Sequence, residues 1–291
     1  MKTALHFSAV VLSFAATFGL TSCQKDQNLE PQAPLSSHAE TAAARESGKK
    51  YTLVKYGNAT LSYLADGRLQ QVTRGNQAVL TDRTDYSYGF LTAKTVSYDG
   101  QSGPNKKSGE ATYQLDVNSG RCFESEHKSY SYVSANVTVV DQKTWKYEYN
   151  AQGMLTKKYN KYNGAERTEY SYNADGNLTK AVNYGVNGVA KDELTLVYAF
   201  ALANETPKLD RNHLNPVAAG LSDEFLPIFG KPSKHLIRHL NSHPLPNGAV
   251  TWGKSFQYQL NGDGYVTQRR EDNTQKYELP TFVNFSYLIS L

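Results

Sequence analysis

The chain has 291 residues, with 31 Lys and Arg against 27 Asp and Glu and a formal net charge of +4. So mild and mixed a balance gives no electrostatic case for a nucleic-acid partner. The 21 tyrosines, against 11 phenylalanines and 2 tryptophans, mark aromatic surface that carries polar tips, and two cysteines leave little room for a disulfide framework.

The first element reads as an export signal. Lys2 supplies the positive start, Ala4 to Leu20 the apolar run, and Leu20-Thr21-Ser22-Cys23 a lipobox of one aliphatic residue, two small ones and cysteine. Residues 1–22 are therefore expected to be removed as a signal peptide, and Cys23 to carry the lipid. The apolar run is short for a membrane span and is broken by His6, Ser8, Ser13, Thr17 and Gly19. Residues 23–50 are rich in Gln, Pro, Ser and Ala and cannot bury enough surface to offset their ordering, so they read as a lipidated flexible tether. A random chain of that length spans roughly 30 Å.

Residues 51–291 are expected to form a single β-repeat domain. An aromatic-rich strand, a polar turn ending in glycine and an apolar residue two positions later recur along it. The copies are Leu61-Ser-Tyr63-Leu-Ala-Asp-Gly67-Arg-Leu69, Tyr147-Glu-Tyr149-Asn-Ala-Gln-Gly153-Met-Leu155 and Tyr170-Ser-Tyr172-Asn-Ala-Asp-Gly176-Asn-Leu178. Another runs from Phe256 through Tyr258 and Gly264 to Val266, and a degenerate one from Tyr113 through Gly120 to Cys122. Tyrosines at i and i+2 share one face of a strand. Asn or Asp folds the turn through its own side chain, and glycine takes the positive φ that a tight hairpin needs. About fourteen short strands follow, paired antiparallel in sequence order, with no long helix between them. So long a meander must twist, curl or close, which predicts an all-β fold: a large curled antiparallel sheet, open or barrel-like.

Residues 200–232 break the pattern with Pro207, Pro216, Pro227 and Pro232. Ser222 is placed to cap a short helix, with Asp223 and Glu224 in its first turn. Leu221, Phe225, Leu226, Ile228 and Phe229 are too apolar for a free loop. The segment is read as a helical or irregular plug on the concave face or at an open end of the sheet, the alternative being an exposed partner surface.

Little chemistry stands out. Cys122, within a strand-like run and with no histidine pattern beside it, reads as a buried inert thiol. His235, His239 and His243 are spaced by four, so a helix would gather them for zinc. A strand would spread them too far, and Pro244 and Leu236-Ile237 favour a strand. Glu124/Glu126 and Glu166/Glu169 could be cast as acid and base but suit solvated charges. The segments Asn173 to Asn177 and Asn261 to Gly264 resemble calcium loops without the closing glutamate, so they read as turns. Trp145 and Trp252, with Phe225 and Phe229, are candidates for a ligand or partner surface. The C-terminal alternation Val283, Phe285, Tyr287, Ile289, Leu291 is like the closing strand of a membrane barrel. Polar residues such as Lys146, Glu148, Lys158 and Glu169 leave each strand only one apolar face, which must serve as core.

The Asp66-Gly67-Arg68-Leu69 run and residues 172–178 resemble the YD repeats of Rhs-type proteins. Residues 51–291 more closely resemble a family of Bacteroidota envelope lipoproteins whose domain of unknown function has a porin-like fold. The Tyr-x-Tyr-x-x-x-Gly hairpins, Asn212-His-Leu214-Asn-Pro216 and Gly230-Lys231-Pro232-Ser233-Lys234 carry that resemblance. It implies a curled or barrel-like fold and an envelope location, and it brings no activity and no functional residues. The expectation is an outer-membrane lipoprotein, periplasmic or surface-facing, that acts without cofactor or metal as a non-enzymatic β scaffold. It would contact the membrane through the lipid on Cys23 and bind a glycan, a protein or an apolar ligand. The rivals are an envelope carrier of an apolar ligand and a glycan-active enzyme.

Overall fold

The computed structural model describes residues 48–76, 79–100, 106–133, 136–200, 204–246 and 248–290. The expected signal peptide, Cys23 and the expected tether up to residue 47 lie outside the described residues. The strands are β1 (Lys50–Tyr56), β2 (Ala59–Tyr63), β3 (Leu69–Asn76), β4 (Val79–Gly89), β5 (Thr92–Asp99), β6 (Lys107–Leu115), β7 (Cys122–Val133) and β8 (Asn136–Tyr149). They continue with β9 (Leu155–Asn160), β10 (Arg167–Tyr172), β11 (Leu178–Tyr184), β12 (Ala190–Val197), β13 (His239–Pro244), β14 (Trp252–Leu260), β15 (Val266–Asn273) and β16 (Thr281–Ser290). Each pairs antiparallel with its neighbours in sequence, and β16 returns to pair with β1, so the meander is a closed barrel. Closure removes the free edges that an open sheet would expose. The sixteen strands agree with the expectation of about fourteen.

Every even strand joins the next odd one at a common end, here the corner end, where β1 also begins and β16 stops. The repeated motif builds these corners. Asn173 Oδ1 accepts from the backbone N–H of Asp175 (3.1 Å) and Asn177 (3.0 Å), and Gly176 follows at φ 81°. Asn150 and Asn261 repeat the arrangement, so the calcium-like segments are spent on turns. Each such corner carries a register shift beside it, as between Ser171 and Tyr172.

The last tyrosine of each repeat is a clasp. Tyr63, Tyr88, Tyr149 and Tyr172 donate from the phenol to the carbonyls of Leu53, Leu69, Cys122 and Leu155, at 2.6, 2.9, 2.6 and 2.8 Å. Tyr198, Tyr258 and Tyr287 do the same to Leu178, Ile237 and Val266, at 2.8, 2.7 and 2.8 Å. The ring packs inside while the hydroxyl ties one hairpin to the strand before it. Only the degenerate repeat lacks a clasp, because Leu115 stands in the tyrosine's place.

Sixteen strands enclose more space than wall side chains can fill. The segment between β12 and β13 enters at the corner end and occupies part of it. Its two legs pair through Asp210 N–H to Lys234 O (3.0 Å) and Leu236 N–H to Lys208 O (2.8 Å). Its tip reaches deepest: Gly220 O accepts from Lys158 Nζ (2.7 Å), and Tyr86 donates to Asp223 Oδ2 (2.9 Å). The returning leg is held at the corners, where Cys122 N–H donates to Ile228 O (2.8 Å) and Lys231 N–H to Gly153 O (2.8 Å). Leu221, Leu226, Ile228 and Phe229 are buried, each stabilising the plug by about 1.5–3 kcal/mol. The expected helix capped by Ser222 does not form. Asp223 takes the capping role in a turn, with Oδ1 accepting from Phe225 N–H (2.8 Å) and Leu226 N–H (2.9 Å). The helical piece is a single 3-10 turn at Val217–Ala219.

Candidate functional site

Inward-facing positions change character along the barrel. Towards the corner end they are apolar and buried, as at Leu61, Val72, Ala93, Leu194 and Leu196. Past the tip of the plug they turn polar, and their register fixes which way they point. Ala111, Tyr113 and Ser125 are core positions, so the directly opposed and alternating Ser129, Asp141 and Lys143 also face the lumen. Ser129 and Asp141 are nevertheless solvent-exposed, as is Asp82 on β4. Water therefore reaches the inner wall from the end opposite the corners. The exposed faces of Val217 (51%), Ala218 and Ser222 form a floor. The result is a cup: sealed by the plug, open at the far end.

Charges in the cup nearly balance. The wall carries the acids Asp82, Asp99, Asp141, Asp192 and Glu271. It also carries the bases Arg74, Lys143, Lys158, Lys254 and Arg269. Many are paired: Lys143 with Glu166 (2.7 Å), and Glu271 with both Lys254 (2.6 Å) and Arg269 (2.5 Å). Burial alone would lift the Glu271 carboxyl, but Arg269 and Lys254 outweigh it and hold it below the usual range. At the floor, burial brings the Lys158 amine down to about 8. Burial pushes the Asp223 carboxyl up, against the pull of its three donors.

Both tryptophans of the chain face this lumen. Trp145 lies opposite Ser125 and Asn160, with Lys158 Nζ 4.5 Å and Lys143 Nζ 5.7 Å from its ring centre. Trp252 lies opposite Ser242 near the mouth and is 38% exposed. Exposed Tyr162 and Tyr277 sit on loops at the same end.

No protein-family model matches the chain, and no curated protein matches it. Among solved structures, a porin-like protein from Bacteroides vulgatus is similar at 14% identity and a TM-score of 0.54, over 82% of this chain and 99% of that one. A porin-like protein from Bacteroides uniformis is matched at 15% identity over 72% of this chain and 96% of that one, at a TM-score of 0.29. The fold is porin-like.

The outer wall of this porin-like barrel carries paired charges. Its outward positions carry ion pairs such as Lys94–Glu110 (2.9 Å), Lys128–Glu126 (2.8 Å), Arg167–Glu169 (2.6 Å) and Lys180–Glu193 (3.1 Å). Each Lys or Arg at a bilayer midplane would cost about 2–4 kcal/mol. A spanning barrel has an apolar outer band, whereas this one sets ion pairs on its outer face. No helix among the described residues is long and apolar enough to cross a membrane.

The remaining candidates disperse. His235 hydrogen-bonds Asn177 (2.9 Å), His239 packs on Phe200 outside the barrel, and His243 faces outward opposite Glu193. They are not gathered for one ion, and no metal-holding group of such residues occurs among the described residues. Glu124 and Glu126 pair with outer lysines. Glu166 and Glu169 bond different partners, Lys143 inside and Arg167 outside. Cys122 is fully buried, and burial pushes its thiol up. Phe229 is buried against Tyr113 and Tyr147, and Phe225 packs on Tyr56, so the two phenylalanines belong to the plug rather than to a surface. A space of about 50 Å³ lies beneath the plug beside Tyr170, Leu221 and Phe229, and a larger one of about 390 Å³ lies between the insert and the wall, lined by Tyr198, Glu205, Lys208, Leu236, Arg238 and Phe256. Sequence reasoning missed Asn177, whose Oδ1 accepts from Lys234 N–H and His235 N–H (both 3.0 Å) and so latches the plug. It also misplaced Lys158, read as part of the polar face: the register shift beside Tyr149 turns it inward, three residues from buried Leu155.

Proposed function

We propose that this chain is a lipid-anchored, non-enzymatic β scaffold of the cell envelope that takes a ligand in its cup. The observation that carries the reading is a polar lumen wetted from one end and floored by the chain's own insert. The lipobox at Cys23 supplies the anchor, and the tether reaches the barrel at the corner end, where β1 begins. The sealed end would then sit on the membrane side and the mouth would face away. The non-enzymatic reading rests on how reactive groups are spent. Ser125 lies 2.8 Å from His127, but Ser125 is fully buried below the floor and shares its hydroxyl with Tyr147 (2.8 Å). Glu271 in the cup is neutralised by Lys254 and Arg269, and Glu166 by Lys143.

The test is cysteine labelling with an impermeant maleimide. Ser129→Cys should react as fast as the outward control Lys128→Cys, while Ser125→Cys stays silent. A protected Ser129→Cys in folded protein would refute the open cup. Separately, Cys23→Ala should release the protein from the membrane fraction, and retention would refute the anchor.

A further inference from the structure

We infer that the ligand of the cup is a neutral oligosaccharide, held by stacking at Trp252 and by hydrogen bonds to the polar inner wall. The inference rests on the ligand-cup reading above. Three features of the lumen select this chemistry. First, acids and bases on the wall nearly cancel, so no excess of one sign favours an anionic or cationic ligand. Second, the groups between the charges are hydroxyls and amides in the open half: Thr84 with Ser97 (3.2 Å), and Asn160 beside Glu166 (2.7 Å). Such groups donate and accept, as sugar hydroxyls do. Third, the mouth offers an exposed indole, and among the described residues no cation or aromatic ring lies over it, unlike Trp145 deeper in. A pyranose presents a C–H face to such a ring and hydroxyls around its rim. An extended peptide is disfavoured by the same wall. The strands are paired all round the barrel, leaving no edge to add to.

The two tryptophans provide the readout, since both face the lumen. The purified full chain is titrated with short neutral gluco-, manno-, xylo- and galacto-oligosaccharides, following indole fluorescence and calorimetric heat. At least one series should shift the emission. Trp252→Ala should weaken its binding about tenfold, the scale of one lost aromatic contact, and Trp252→Phe should keep most of it. An outer-face control, Phe282→Ala, should leave it unchanged. If no neutral series binds while Ser129→Cys labels freely, the sugar inference fails and the cup stands. Binding confined to charged glycans or to peptides overturns the inference as well. If Ser129→Cys is protected, the inference falls together with the proposed function.

Discussion

The tyrosine clasps make a quantitative demand on stability. Tyr172 donates to the carbonyl of Leu155 at 2.8 Å, and Leu155 is 2% exposed. Tyr172→Phe keeps the ring and removes the donor, leaving a buried carbonyl short of a partner. The cost should be about 1–2 kcal/mol. In a domain of this size that lowers Tm by roughly 3–6 °C. Tyr172→Ala adds the lost ring and should cost about 3–5 kcal/mol. Urea denaturation followed by far-ultraviolet circular dichroism measures both, with an unchanged m-value expected. Tyr63→Phe, whose clasp reaches Leu53, should cost a similar amount. The double variant should be additive within about 0.5 kcal/mol, because the two clasps share no partner. A neutral Tyr172→Phe beside a costly Tyr172→Ala would show that only ring packing matters, and the clasp account would be wrong.

Further outcomes follow from the same interior. Burial pushes the phenols of Tyr63 and Tyr198 up to about 12 from 10.0. The fold favours the neutral phenol, so this stability is whole below pH 10 and lost as pH climbs through about 12. Tyrosinate absorbance and loss of β signal should then rise together, and ordinary titration near pH 10 with the fold intact would contradict this. Burial, with the Lys158 charge, lowers the His127 imidazole to about 4 from 6.5. That contribution is whole above pH 6.5 and lost as pH falls towards 4, on the order of 2–3 kcal/mol, and His127→Gln should flatten this acid limb of a stability–pH curve. Gly230 has φ 89°, and an added Cβ would lie 2.6 Å from Gly153 O and 2.8 Å from the Tyr149 ring. Gly230→Ala should cost more than about 2 kcal/mol in thermal melts, whereas Gly262→Ala, with open space around it, should be neutral.

The corners were legible because their chemistry is local. Asn173 to Gly176 makes its own turn, and Tyr170 and Tyr172 share a face whatever the sheet does. The apolar insert was legible as a plug because Leu226, Ile228 and Phe229 need cover. Closure was not legible, since pairing of β1 with β16 joins segments some 230 residues apart and no local signal sets it. The cup was hidden for a related reason. A wet lumen makes inward positions such as Arg269 and Glu271 look like surface, so the polar half of each strand loses the alternation that marks a core. Trp145 and Trp252 were picked out as binding aromatics from residue type alone. That both face one lumen depends on register across β7 to β9 and β13 to β14, which the sequence does not display.

The ring of strands on which all this depends can be tested at its seam. Thr52 and Leu288 stand directly opposite on β1 and β16. In antiparallel partners the Cα atoms are about 4.5–5.5 Å apart, within reach of a disulfide. Thr52→Cys combined with Leu288→Cys should therefore oxidise within the monomer, giving a faster non-reduced band with the β signal preserved. If the pair forms only dimers, or no bond at all, the sheet is open and the cup does not exist as described.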